Sequence, residues 1–588
     1  MKTITKTLLI LSLLLTTMGL SAQEILVVEP GVGTLNAAIE QHKGNKIYQL
    51  KAGEWYQLSG IIENVDFHLQ IIGQTPVGGA IPATLQTGAS AGGATYDHMF
   101  DARGDLTLKN IYIMNTDLMG QNGVYCILQL KTNGRLIVDN CIVDPIGLHA
   151  AVFINAGNTK TYLTNSLWMN HGHQLNPNDG FFIVSDNASG MGFDSLLVQN
   201  NTLVAMGTGL HGGGFNKYTH NFSKWDHNTI VLQKSQIDWQ LYEKEYYWTN
   251  NLMFDVQTQP WSVTWQPMPG ADPGLPQPAL IYADTIPEEI ASVKAGTPSA
   301  TIQNIQYNLH YRNPGFYTLL DKLNGIGQQS GKALLYLMPL LYGEEMISTS
   351  RETQMFANNV MFPNWKYSNT LTDIDPQWED TRIYTHSNNF VEWTDPATQI
   401  HALNMPSGNF PPASQWKQWH WDLDGDPSFN EAWPVFNGRY TNPTLLTASI
   451  EGLPLGDLNW FPQAKAKWVA NKAQIDAHLR ATNEEKIVFT SIYSPLAELF
   501  ALRAYPNPFN SSTTISYSLD KASEVSISIT NMVGQTVKNF VIENKSAGTH
   551  TLVWDGNDDS GNGLVNGIYF YTLRVGDTQS TQRLMKVK

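Results

Sequence analysis

One short phrase recurs nine times between residues 110 and 389: an Asn-bearing pair with an apolar residue two positions before it and another after it, His386 and His310 being the departures. The pairs are Asn110-Ile111, Asn140-Cys141, Asn165-Ser166, Asn200-Asn201, His227-Asn228, Asn250-Asn251, Tyr307-Asn308, Asn358-Asn359 and Asn388-Asn389. Leu108, Val138, Leu163, Val198, Trp225, Trp248 and Ile305 precede the first seven, and Ile113, Val143, Trp168, Leu203, Ile230 and Met253 follow the first six. The first members of successive pairs lie 23 to 57 residues apart. A constant core with loops of varying length is the pattern of a solenoid, in which each repeat buries its apolar face against its neighbours. Asn tolerates left-handed backbone, and its amide can bond the coil above and below. The apolar segments are too short for helices, so they read as short parallel strands. At one fixed register the asparagines build the scaffold and are not ligands.

The chain has 588 residues, more than one ordinary core can serve. Charged residues make up only 15%, with 47 glycines and 11% aromatics, a turn-rich composition that argues against a helical bundle. The net charge of −15, without any Lys/Arg run longer than a dipeptide, argues against nucleic acid as a partner. Lys2 and Lys6, the apolar run Leu8 to Leu15, and Gly19-Leu20-Ser21-Ala22 before Gln23 read as a signal peptide over residues 1–22. No later segment is apolar enough to span a bilayer, so the expected destination is secreted or attached to the cell surface. Cys126 and Cys141 can pair in an oxidising compartment, but a long regular core needs no such staple, and two buried thiols is the favoured reading.

Three stretches interrupt the repeat: 257–300, 312–350 and 393–440. The first is proline-rich, which is loop chemistry. Trp261 and Trp265 in the first stretch, and Trp416, Trp419 and Trp421 in the third, are candidate sugar-stacking residues, since an aromatic face suits the C–H side of a pyranose. His171 and His173 follow the third phrase, and His211 and Lys217 the fourth, so similar offsets on adjacent coils make these four the candidate catalytic bases. Asp422-Leu423-Asp424-Gly425-Asp426 alternates carboxylates as a Ca2+ loop does, with Asp422, Asp424 and Asp426 as ligands. Its ending, Asp426-Pro427-Ser428-Phe429, echoes Asp375-Pro376-Gln377-Trp378, which favours a recurring turn instead.

Phrases such as Leu196-Leu197-Val198-Gln199-Asn200-Asn201-Thr202-Leu203-Val204 resemble the coils of the pectate-lyase-like right-handed parallel β-helices. Thr34 to His42 looks like a capping helix, and residues 47–56 like a first coil. The resemblance implies a polysaccharide lyase or glycoside hydrolase acting on a uronate-containing glycan. However, no Arg-x-Pro-x-x-Arg arrangement occurs, and there is no Arg at all between residues 136 and 311. Polysaccharide binding without cleavage is therefore the leading expectation, with lyase or hydrolase activity and a structural adhesin as alternatives.

Residues 463–482 read as a weakly amphipathic helix, a cap or a spacer. From Tyr505 onward, alternation such as Val525-Ser526-Ile527-Ser528-Ile529 indicates half-buried antiparallel strands between turns at Gly534, Gly548 and Asn566-Gly567. Tyr505-Pro506-Asn507-Pro508-Phe509, Trp554-Asp555-Gly556 and the closing Arg583-Leu584-Met585-Lys586-Val587-Lys588 resemble the C-terminal sorting domain of type IX secretion cargo. They are also similar to the immunoglobulin-like module of flagellar hook-capping proteins. That resemblance implies an outer-membrane secretion machinery as partner of residues 505–588. The expected fold is all-β: a right-handed parallel β-helix over 23–460, a helical linker over 461–503, and a small antiparallel β-sandwich over 504–588.

Overall fold

The computed structural model describes residues 23–76, 81–171, 180–186, 191–207, 209–213, 220–233, 238–240, 243–256, 281–283, 302–314, 364–385, 436–487, 489, 500, 502–519, 522–576 and 578–587. Three parallel sheets wrap one solenoid. The first sheet runs from Glu24–Val27 to Asn364–Ser368, and the second from Gly31–Val32 to Leu371–Thr372, each with eleven strands. The third has eight, from Ile62–Glu63 to Ile281–Ala283. Each complete coil contributes one strand to each sheet in turn, as the parallel β-helix reading requires.

The recurring apolar residues form the interior rows. In the first sheet, Leu108, Val138, Leu163, Val198, Trp225, Trp248 and Ile305 are successive register partners. In the second sheet, Ile113, Val143, Trp168, Leu203, Ile230 and Met253 are. Between these sheets the chain turns at the Asn pairs. The first member takes left-handed backbone, with φ from 52° to 58° at Asn110, Asn140, Asn165, Asn200, His227, Asn250 and Tyr307. In the later coils the second member points inward and builds a ladder. The backbone N–H of Asn201, Asn228 and Asn251 each donates to the side-chain oxygen of the next coil's Asn, at 2.9 to 3.1 Å.

The coil after 302–311 is 364–372, which turns at Asn369 (φ 55°). The pairs at Asn358 and Asn388, expected to continue the stack, lie outside the described residues. At the other end, Thr34–His42 is a helix that buries Leu35 and Ile39 against the solenoid core. Cys126 and Cys141 are free, buried thiols of the same core, and burial pushes both up to about 12.

A returning segment covers one side of the solenoid. The outward row of the second sheet, Met169, Val204, Val231 and Phe254, is apolar and buried. Trp378, Ile383, Tyr440, Leu445, Leu458 and Phe461 pack on it. The chain then enters the helix Pro462–Arg480, which buries Trp468, Ile475 and Leu479. Residues 436–487 therefore form a strap over the outside of the coils and do not behave as a free spacer. No described helix is long and apolar enough to cross a membrane. The C-terminal module has a three-stranded sheet (Arg503–Tyr505, Thr513–Leu519, Gly548–Trp554) and a four-stranded sheet (Ser523–Asn531, Thr536–Lys545, Gly567–Val575, Thr578–Lys586), both antiparallel. They enclose Ile515, Ile527, Ile529, Trp554, Tyr571 and Leu584.

Candidate functional site

The outward face of the third sheet is where this solenoid presents chemistry. Register places Glu63, Asp101, Leu128, Phe153, Val184 and Gly212 in one row across six coils. Glu63 is exposed, and Asp101, Leu128 and Phe153 are half-buried. Tyr125 stacks on Phe153 with ring centroids 5.4 Å apart, and His149 meets Tyr125 edge-on at 5.2 Å. Phe181 continues the aromatic strip over Gly212, where a Cβ would come within 2.6 Å of its ring. Glycine at 212 is thus required by the close approach of that ring.

The strip ends on an ionic group. His98 Nε2 lies 2.7 Å from Asp101 Oδ1, and Arg103 reaches Glu63 at 2.6 Å and Asp101 at 3.6 Å. The Tyr125 N–H donates to the carbonyl of Asp97 at 3.0 Å, so His98 and Tyr125 sit side by side on adjacent coils. Flat aromatic rings beside carboxylates and an imidazole can stack on a sugar ring and bond its hydroxyls. None of these residues stands out in the sequence alone. Their signal was the third-sheet strand that follows a pair, as in Tyr125–Gln129 after Asn110 and Ala150–Ile154 after Asn140, where aromatics take the outward positions.

Of the four candidate bases, His171 and His211 are described, and both are 1% exposed. His171 bridges Gly147 of the preceding coil, next to Asn170, whose amide donates to Asp144 at 2.6 Å. His211 continues the row Ile127, Val152, Ile183, which belongs to the solenoid core, and its Nε2 lies 3.0 Å from the Ser185 hydroxyl. His220 stacks on Phe193 at 3.8 Å. Its Nδ1 accepts the Phe193 N–H at 3.1 Å, and burial holds its pKa well below the usual histidine range. His173, Lys217, Trp261, Trp265, Trp416, Trp419, Trp421, Asp422, Asp424 and Asp426 lie outside the described residues. The described copy of the Asp-Pro phrase is a turn, in which Asp375 Oδ1 accepts the Gln377 N–H at 2.8 Å.

Among the described residues, one buried group has the composition of a metal site: Asp226, His227 and Glu451, with donor atoms within 4.8 Å of one another. Its oxygens already have hydrogen-bond donors. Asp226 Oδ1 accepts from Thr249 (2.8 Å) and Asn250 (3.0 Å), while Oδ2 accepts from Gln199 (3.0 Å) and has Lys224 at 3.4 Å. The Asn250 amide also donates to Glu451 at 3.2 Å. An ammonium and three neutral donors around one carboxylate describe an ion-pair network better than a cation cage.

The family model of the FlgD Ig-like domain matches residues 509–580. The C-terminal module is therefore similar to that domain. No curated protein matches the chain. Among solved structures, dimeric latent PorU from Porphyromonas gingivalis is 19% identical over 15% of this chain and 9% of its own, with a TM-score of 0.14. FlgD from Xanthomonas campestris is 28% identical over 14% of this chain and 61% of its own, with a TM-score of 0.12. The PL6 family alginate lyase AlyGC is 15% identical over 40% of this chain and 37% of its own, with a TM-score of 0.27. The match spans only 9% of PorU and 12% of PorZ, a P. gingivalis surface component of the type-IX secretion system.

Proposed function

We propose that this protein is exported to the cell surface or beyond and binds extracellular polysaccharide along the outward face of its third sheet. The observation that carries the reading is the stacked strip of Tyr125 and Phe153, flanked by His149 and by the ionic group at Asp101. Half-buried rings fixed on a rigid sheet lose little freedom when a sugar stacks on them. Residues 505–588, by their resemblance to sorting domains, would carry the chain through an outer-membrane translocon. Retention on immobilised polysaccharides, compared between the wild type and Tyr125→Ala/Phe153→Ala, tests the binding. The double variant should bind at least about tenfold more weakly, or ~1.4 kcal/mol. Unchanged retention would remove the third sheet from the reading.

Cleavage is the second reading, favoured by two carboxylates, Glu63 and Asp101, on adjacent coils with an imidazole beside them. A paired acid and base is what glycoside hydrolysis needs. New reducing ends, or absorbance of an unsaturated product, that vanish in Asp101→Asn would establish it.

A further inference from the structure

The strap is held to the solenoid through a histidine whose hydrogen bonds fix its charge. His227 occupies the left-handed position that Asn fills in the neighbouring coils at Asn200 and Asn250. Its Nδ1 lies 3.0 Å from the carbonyl oxygen of Gly456, and its Nε2 lies 3.3 Å from Glu451 Oε2. A carbonyl and a carboxylate only accept, so each ring nitrogen must donate, and a neutral imidazole has a single N–H. His220, seven residues earlier, shows the opposite case, with Nδ1 accepting.

The charges around His227 agree with this. From its own coil it faces Asp226 and, beyond it, Lys224; from the strap, Glu451; from the helix Pro462–Arg480, Lys472 and Asp476, with Trp468 edge-on at 6.2 Å. Lys224 bonds Asp476 at 2.8 Å, and Lys472 lies 4.0 Å from the same carboxylate. Asp476 is exposed and Lys472 partly so, which leaves two buried carboxylates, Asp226 and Glu451, with one buried ammonium, Lys224, and only an imidazolium makes that buried set neutral. A buried unpaired charge is costly. One coil away, Asp457 accepts from Thr202 and Asn459, both at 2.8 Å, with Lys465 nearby.

We propose that the strap is latched by the proton on His227 and loosens from the solenoid when that proton is lost to solvent. Deprotonation leaves Nε2 and the Glu451 carboxylate as two facing acceptors, and the set carries one net negative charge. Loosening uncovers the apolar row Met169, Val204, Val231 and Phe254. The latch is independent of what the third sheet binds.

Hydrogen exchange of the full-length chain, read by mass spectrometry as protection over 450–480 after correction for intrinsic rates, tests the latch. In the Asp457→Asn background, which removes the neighbouring carboxylate, protection should fall about tenfold per pH unit in a window opening near pH ~6.5, while coils 100–165 keep theirs. Adding His227→Asn, the side chain neighbouring coils carry, should flatten the dependence. Glu451→Gln should flatten it too, with the histidine in place. Protection over 450–480 that is level with pH in Asp457→Asn, or a slope that survives both His227→Asn and Glu451→Gln, would overturn the latch.

Discussion

Asn228 shows what one amide does in the ladder. Its N–H and side-chain amide donate to Asn251 Oδ1, that amide also donates to the Val198 carbonyl, and its own Oδ1 accepts the N–H of Asn201. Asn228→Ala would leave a buried N–H and a buried carbonyl unpaired. The expected loss is about 2–4 kcal/mol of stability, measured by urea unfolding. Asp457 carries the second residue-scale prediction. Burial pushes its carboxyl up to about 7, against a usual value near 4. A raised folded-state pKa means its contribution is full below about pH 4 and is lost as pH rises through 7. Asp457→Asn should therefore reduce the decline in thermal stability between pH ~5 and ~8, because the amide stays neutral throughout. At this scale the scaffold asparagines were legible, since identical residues recur at one backbone position. His227 was visible too, as the one histidine in that position, but its meaning depends on Glu451 and Gly456, more than 220 residues away.

At the scale of elements, the strap is the piece that sequence periodicity does not reveal. Residues 462–480 look only weakly amphipathic because the helix lies over polar side chains of the solenoid as well as apolar ones. Lys472 reaches Gln199 at 2.9 Å, and Lys224 reaches Asp476. A signal was present on the other side of the contact. Strands facing solvent alternate, as Ile111-Tyr112-Ile113 does, whereas Leu203-Val204-Ala205-Met206 and Leu252-Met253-Phe254 are apolar on both faces, the mark of a strand covered twice. Phe461 is fully buried in the strap contact and packs edge-on against Tyr440 at 4.9 Å. Phe461→Ala should cost about 3–5 kcal/mol. Limited proteolysis should then cut within 462–480 at a protease concentration the wild type resists.

For the whole molecule, the aromatic strip and the strap occupy different sides of one solenoid, and the C-terminal module has a core of its own. Among the described residues, Gln463 donates to the Leu502 carbonyl and accepts from the Gln582 amide, and both contacts are polar. Removing residues 505–588 should leave the solenoid's melting temperature within about 2 °C of the full chain, measured by calorimetry, because among the described residues no apolar core is shared. The fold class was legible because a solenoid writes its stacking rule into every coil. The third-sheet face was less so, because an outward aromatic on a strand reads as core until the register is known.

The strap also sets an order of events. The row Met169, Val204, Val231 and Phe254 is covered by side chains between Trp378 and Phe461, so each coil is complete long before its cover exists. A chain emerging from its N-terminus would stack these coils by local contacts, yet hold a sticky stripe open until some two hundred further residues have appeared. Until Phe461 arrives, that stripe is the surface of the growing chain most open to wrong apolar contacts.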